Sequence, residues 1–253
     1  MLKRNKMEFD YGKTAAFTGH RSQKLPFGFN ETLPSTLKLR AAIRAEIEYA
    51  VLCGYMFFLT GMALGTDMIA AEEVLSLKKE LYPHIELIAA LPCRGQSDSW
   101  PLSNRTRYDN ILKRCSKVVY VNDRPYFNGC MQARNRYLID HSTLLIAVYD
   151  GKPGGTGSTV SMARKKGHAM VIIDPVEPVR VVPVDNDRQL DYLKKTENRC
   201  QRQLEYLEQN NKQFLDLLAE YTDPFTDAAS RYQIECRLYA ISCDDPLFTE
   251  KAF

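Results

Sequence analysis

The feature that most constrains this chain is a recurrence. Short apolar runs stop at glycine, proline or polar residues, and each is followed by a segment with helical spacing. Thr14–Thr18 stops at Gly19, Tyr55–Leu59 leads to Gly61, and Ile85–Leu91 stops at Pro92. Val118–Val121, Leu144–Tyr149 and Met170–Ile173 complete the series. Between them, Leu39, Ile43, Ile47 and Ala50 mark a helix over Leu37–Leu52. Further helices are expected over Thr66–Leu81, Thr106–Lys113, Met131–Asp140 and Val160–Lys166. Near-continuous apolar strands that alternate with helices imply a parallel sheet buried on both faces.

The expected fold is therefore α/β and Rossmann-like: a mostly parallel sheet covered by helices on both faces, with a C-terminal helical extension. Such sheets bind ligands at the C-terminal ends of their strands. Here the polar and glycine-rich segments lie at those ends, after the first, second, third and fifth strands. Residues 1–180 are expected to form a nucleotide-binding domain, and residues 185–253 an α-helical extension. Pro175, Pro178 and Pro183 punctuate the linker. Beyond it, Leu190, Leu193, Cys200, Leu204, Leu207, Phe214, Leu218 and Tyr221 recur at 3/4 spacing, with Glu197 and Asn211 in the remaining seam positions. That is a long amphipathic helix with a heptad flavour, read either as packed on the body or as a homo-oligomer arm. A second short amphipathic piece is expected over Tyr232–Ile241.

Composition narrows the partners. Residues 185–253 hold 9 basic and 14 acidic residues in a chain of net charge +3, which leaves residues 1–184 at +8. A mildly basic body suits a small anion and argues against nucleic acid as the default partner. No apolar run reaches membrane-helix length, and Met1–Asp10 carries no apolar leader core, so no membrane and a cytoplasmic setting are expected. Seven dispersed cysteines, without a CxxC pair or zinc spacing, read as reduced thiols. No metal and no cofactor are expected.

Four loops carry the chemistry. In Pro153-Gly154-Gly155-Thr156-Gly157-Ser158-Thr159, three glycines let backbone N–H groups approach an anion, Ser158 and Thr159 add hydroxyls, and the next helix presents its positive end. The GK[ST] ending of a P-loop is absent, which favours a single phosphate. In Thr60-Gly61-Met62-Ala63-Leu64-Gly65-Thr66-Asp67, Gly61, Ala63 and Gly65 permit close backbone approach. Asp67 there is either a helix N-terminal acid or a hydrogen-bond partner for a ribose or base edge. Thr18-Gly19-His20-Arg21 offers an arginine fork for phosphate and one histidine. Arg134 and Arg136 cannot share one helix face, so one is solvated and the other points to the ligand. Cys93-Arg94-Gly95-Gln96 is polar and near the same edge, and Trp100, the only tryptophan, reads as a lid or as packing.

Taken together, Phe17-Thr18-Gly19-His20-Arg21, the Thr60–Asp67 stretch, Gly129-Cys130-Met131-Gln132-Ala133-Arg134-Asn135 and the 153–159 loop resemble the SLOG superfamily, which joins DprA/Smf and LOG proteins, and within it the YpsA-like branch. The resemblance spans about residues 13–175. It implies a Rossmann-like domain for nucleotide-type ligands, acting as a sensor or binding module. LOG enzymes cleave the N-glycosidic bond of nucleoside monophosphates, and Arg134 matches the arginine of their MxxRK-like stretch, so Arg134 would be catalytic if this chain were a hydrolase. Asn135 replaces the lysine, Ser158 the threonine of PGGxGTxxE, and the acid position falls on Ser161. A serine cannot act as a carboxylate there. Asp150 is the neighbouring carboxylate, with no spacing that supports the geometry. The second loop resembles the SGxAxGID stretch of the DprA proteins, which bind single-stranded DNA, but no stripe of basic and aromatic residues accompanies it.

Overall fold

The computed structural model describes residues 9–28, 30–178, 180–181, 186–222 and 230. Its sheet is formed by β1 (Thr14–Gly19), β2 (Phe57–Thr60), β3 (Glu86–Leu91), β4 (Lys117–Tyr120), β5 (Leu144–Val148), β6 (Ala169–Ile173) and β7 (Arg180–Val181). The order is β4-β3-β2-β1-β5-β6-β7. The first six strands are parallel, and β7 joins β6 antiparallel. β7 lies inside the proline-punctuated stretch read as linker. Two residues beside prolines give no periodic signal.

Alternation along the strands builds two cores. Ala15, Phe17, Phe58, Leu87, Ala89, Leu144 and Ile146 face one layer, with α1 (Pro34–Leu52), α2 (Thr66–Glu80) and α3 (Leu102–Arg114). Ala16, Leu59, Ile88, Ala90, Leu145 and Ala147 face the other, with α4 (Cys130–Asp140) and α5 (Gly155–Lys165). Parallel strands with both faces buried read as unbroken apolar runs because water touches neither side.

The chain moves outward from β1 to β4, then returns to place β5 on β1's other side. Gly19 is registered against Val148. The strand order thus reverses between β1 and β5, and the crevice beyond their ends is where such sheets hold ligands.

α6 spans Asp187–Thr222. The chain divides into a compact unit over 1–193 and a second over 194–253. The first turns of α6 belong to the first unit. Asn186 accepts from the Gln189 N–H at 2.9 Å and donates to the His168 carbonyl at 3.2 Å. Gln189 accepts from the Met170 N–H, and Tyr192 is buried with its ring 6.3 Å from that of Tyr55. Leu190, expected to open the apolar seam, is instead exposed. A buried glutamine that satisfies a strand N–H takes the inward position, and hydrophobic periodicity does not register it. The side chains of Cys200, Leu204, Leu207, Asn211, Phe214, Leu218 and Tyr221, and the Tyr232–Ile241 piece, lie outside the described residues. No helix among the described residues is long and apolar enough to cross a membrane.

Candidate functional site

The loops after β1, β2 and β5 and the start of α4 converge on a cleft of about 400 Å³ at the switch point. Thr18, Gly19, His20, Arg21, Ala63, Asp67, Arg134, Gly154, Gly155 and Thr156, all singled out from sequence, line it. Gln23, Lys24, Met131, Asn135 and Lys152 join them. Gly61, Gly65, Gly157, Ser158 and Thr159 are not part of that lining.

The expected short helix over 160–166 begins earlier, at Gly155. The glycine-rich stretch is itself the first turn of α5, with Gly154 as N-cap and no side-chain cap. Glycine is penalised in helix interiors, which hid the start, but first-turn N–H groups need no intrahelical partner. The consequence is a set of uncapped N–H donors facing the cleft at the positive end of the helix. Thr159 is buried and its hydroxyl donates to the Gly155 carbonyl at 2.9 Å, while Ser158 is exposed. Ser161 is also exposed on α5 and lies outside the cleft lining.

At the rear of the cleft, Arg134 Nη1 lies 2.9 Å from Asp67 Oδ2, and the two side chains are 7% and 4% exposed. Asp67 also accepts from the Ala63 N–H at 3.2 Å. Gly61 makes this pairing possible, because a Cβ there would stand 1.2 Å from Arg134 Nη1. Arg134 Nε is buried and has no hydrogen-bond partner among the described residues. Arg136, its neighbour two residues on, is exposed.

Gly65 plays a different part. It is left-handed at φ 99°, and a Cβ would meet Ser22 N at 2.6 Å and His20 O at 2.7 Å. The β2 loop thereby presses against the β1 loop, and Thr66 donates to the His20 carbonyl through its hydroxyl at 3.0 Å and its N–H at 3.2 Å. Met62, buried beside it, holds φ 55°, a conformation that costs about 1–3 kcal/mol in a non-glycine residue. Gln96 steadies that turn by donating to the Gly61 and Met62 carbonyls at 3.2 and 3.1 Å.

His20, buried after β1, places Nε2 at 2.9 Å from Asp150 Oδ1 after β5. Burial pushes the Asp150 carboxyl up, but the Lys152 N–H, the Lys152 ammonium and His20 outweigh it and draw it down to about 2. Lys24 approaches from the short 3-10 turn Ser22–Lys24; a Cβ on Gly154 would lie 3.7 Å from its Nζ. Lys24, Gln23 and Lys152 were not singled out from sequence. Exposed lysines and a glutamine carry no local signal, and only the approach of the β1 and β5 loops makes Lys152 a neighbour of Gln23 and Lys24. Of the Cys93–Gln96 segment, Gln96 reaches the site. Cys93 is buried, its thiol pushed up by burial and by Cys130, and Arg94 stacks on Tyr120 at 3.8 Å.

A family model for YpsA, described as the YspA SLOG family, matches residues 15–176. The prophage-derived protein YoqJ of Bacillus subtilis is 33% identical over an alignment of 156 positions that covers 56% of this chain and 91% of that protein. A UPF0398 protein of Halalkalibacterium halodurans is 29% identical over 156 residues, covering 61% of this chain and 82% of that one. Among solved structures, DNA processing protein A from Helicobacter pylori, described by its single-stranded DNA binding mode, aligns with a TM-score of 0.47 and 21% identity, covering 78% of this chain and 82% of that one. DprA from Streptococcus pneumoniae aligns at 0.45 and 16%, covering 76% and 56%.

Proposed function

The chain belongs to the YpsA SLOG family, and from that premise we propose that its switch-point cleft binds the phosphate of a nucleotide or nucleotide-derived ligand, as a sensor or binding module. The observation that carries this reading is Arg134: buried in the cleft wall, paired with Asp67 through one nitrogen, and left with an unpartnered Nε. A buried guanidinium short of acceptors is costly, and because Arg134 lines the cleft, an anion bound there takes up its remaining donor capacity. The uncapped N–H groups of α5, with Arg21, Lys24 and Lys152, add positive potential to the same cleft.

Binding is favoured over LOG-type hydrolysis because the acid position, Ser161, has no carboxylate and does not line the cleft, while Asp67 is engaged with Arg134. The same proposal puts the protein in the cytoplasm, in keeping with free thiols at Cys53, Cys93, Cys115 and Cys130, and makes α6 beyond residue 193 a homo-oligomer arm.

The test is incubation of the full chain with nucleoside mono- and diphosphates, followed by thermal-shift measurement and mass spectrometry of bound and released species. Retention of an intact ligand, lost in Arg134→Ala, is expected. Release of free base, abolished by the same substitution, would replace the binding reading with the hydrolase. A salt-dependent shift of single-stranded DNA without any nucleotide effect would replace it with strand binding.

A further inference from the structure

A second hollow, of about 520 Å³, opens beside the phosphate cleft and shares Arg21, Gln23, Ala63 and Met131 with it. Its chemistry differs sharply. The cleft gathers Arg21, Lys24, Lys152 and the N-terminus of α5. In the hollow, Arg21, on the shared border, is the one charged residue among the described lining residues. The rest of the wall is apolar or neutral: Leu64, Met131, Trp100, Gln96 and Asn104 among them.

Trp100 is held in place there. Its ring meets that of Tyr108 edge-on, with centroids 5.3 Å apart at 81°. The Tyr108 hydroxyl donates to Gln96 Oε1 at 3.3 Å, and Gln96 in turn holds the strained Met62 turn of the cleft. The wall of the hollow is thus hydrogen-bonded, through Gln96, to the turn that precedes Ala63 of the cleft lining. A chamber with one large aromatic face and amide edges, charged only at the shared border by Arg21, does not favour a second phosphate. It suits a neutral, planar, hydrogen-bonding ring, because stacking needs only a π-face and amides read ring edges.

We propose that this hollow is the subsite for the ring of a bipartite ligand: a nucleobase or similar heteroaromatic ring against Trp100, with the phosphate in the adjoining cleft. The inference rests on the phosphate reading of that cleft. It adds that phosphate alone, or a sugar phosphate, is an incomplete ligand.

Trp100 is the only tryptophan of the chain, so its fluorescence reports on this wall alone. The full chain is titrated with the four ribonucleoside 5′-monophosphates and with ribose 5-phosphate, by fluorescence and by calorimetry. At least one mononucleotide is expected to change the Trp100 emission and to bind about tenfold or more tighter than ribose 5-phosphate, the scale of base–aromatic stacking. Ribose 5-phosphate is expected to bind without changing the emission. Trp100→Ala should bring that mononucleotide down to the affinity of ribose 5-phosphate, leaving the latter within about twofold, and Trp100→Phe should keep most of the difference.

Mononucleotide and ribose 5-phosphate binding equally well, with Trp100→Ala changing neither, would overturn the ring subsite and leave the phosphate cleft standing. Failure of every probe to bind would overturn both.

Discussion

Gly61 and Arg134 fit one space between them: a single methyl group on Gly61 would stand 1.2 Å from the Arg134 guanidinium. The two residues are far apart in sequence, one on the loop after β2 and the other on α4, yet one exists in its present form because the other does. Gly61→Ala is therefore expected to expel Arg134 and leave the Asp67 carboxylate buried without its cation. Removing one member of a buried pair costs about 3–5 kcal/mol. The Ala63 N–H still serves Asp67, so the lower end, about 3 kcal/mol, is expected from urea unfolding. Arg134→Met should cost about as much, and the double variant should cost far less than the sum. Additive losses would show that the two residues act separately.

Lys24 reaches over Gly154 from the β1 loop. Lys24→Ala should weaken nucleotide and ribose 5-phosphate binding by similar factors, about three- to tenfold at low salt, because it meets charge and not the ring. The effect should shrink as salt rises. A loss confined to nucleotides would place Lys24 at another part of the ligand. Calorimetry at two salt concentrations decides this.

How much of this was legible in the sequence follows the range of the forces. The six parallel strands were readable because burial on both sheet faces forces runs such as Leu144–Val148 to be wholly apolar. The loops Thr18–Arg21 and Thr60–Asp67 were readable because glycine marks close backbone approach locally. The start of α5 was not, since Gly155 and Gly157 look like a turn until the fold uses them as a first helical turn. Nor was Lys24, an ordinary surface lysine until the 3-10 turn brings it to Gly154. The partnership of Gly61 with Arg134 was also hidden, because steric exclusion between a loop and a distant helix leaves no periodic trace. Gln189 belongs with these: a polar residue turned inward to meet Met170 defeats any count of apolar spacing.

Away from the cleft, Arg107 is shared by Glu72, at 2.6 Å, and Glu31, at 2.7 Å, and Arg40 lies 3.0 Å from the same Glu72. Burial pushes the Glu72 carboxyl up, but the hydrogen bonds and charges of Arg107 and Arg40 outweigh it, so it sits below its ordinary value of 4.5. A carboxylate held low in the fold stabilises above its unfolded value and loses that contribution as pH falls through its folded value. Stability should therefore decline below about pH 4.5. Neighbouring Glu73, raised chiefly by burial, offsets part of this, because its cost is relieved as it protonates. Glu72→Gln should lower stability at pH 7 by roughly 1 kcal/mol, given partial exposure, and flatten the acid limb of the urea midpoint. An acid limb as steep as the parent's would assign the loss to other carboxylates.

The first turns of α6 test where the body ends. Asn186, Gln189 and Tyr192 are tied to His168, Met170 and Tyr55, and all lie in the compact unit over 1–193. Truncation after Pro183 removes Tyr192 from the core and strips Met170 N–H of its acceptor. Losing a buried aromatic costs about 3–5 kcal/mol, and an unsatisfied buried donor adds about 1–3 kcal/mol. A domain of ordinary stability, about 5–15 kcal/mol, would be left marginal. Residues 1–183 should therefore melt far below the full chain or collect in the insoluble fraction, while residues 1–193 should keep a cooperative transition. Adding Tyr192→Ala alone to the full chain should reproduce the first part of that loss. If 1–183 instead gives a folded monomer as stable as 1–193, the helix start does not complete the core, and the whole of α6 belongs to assembly.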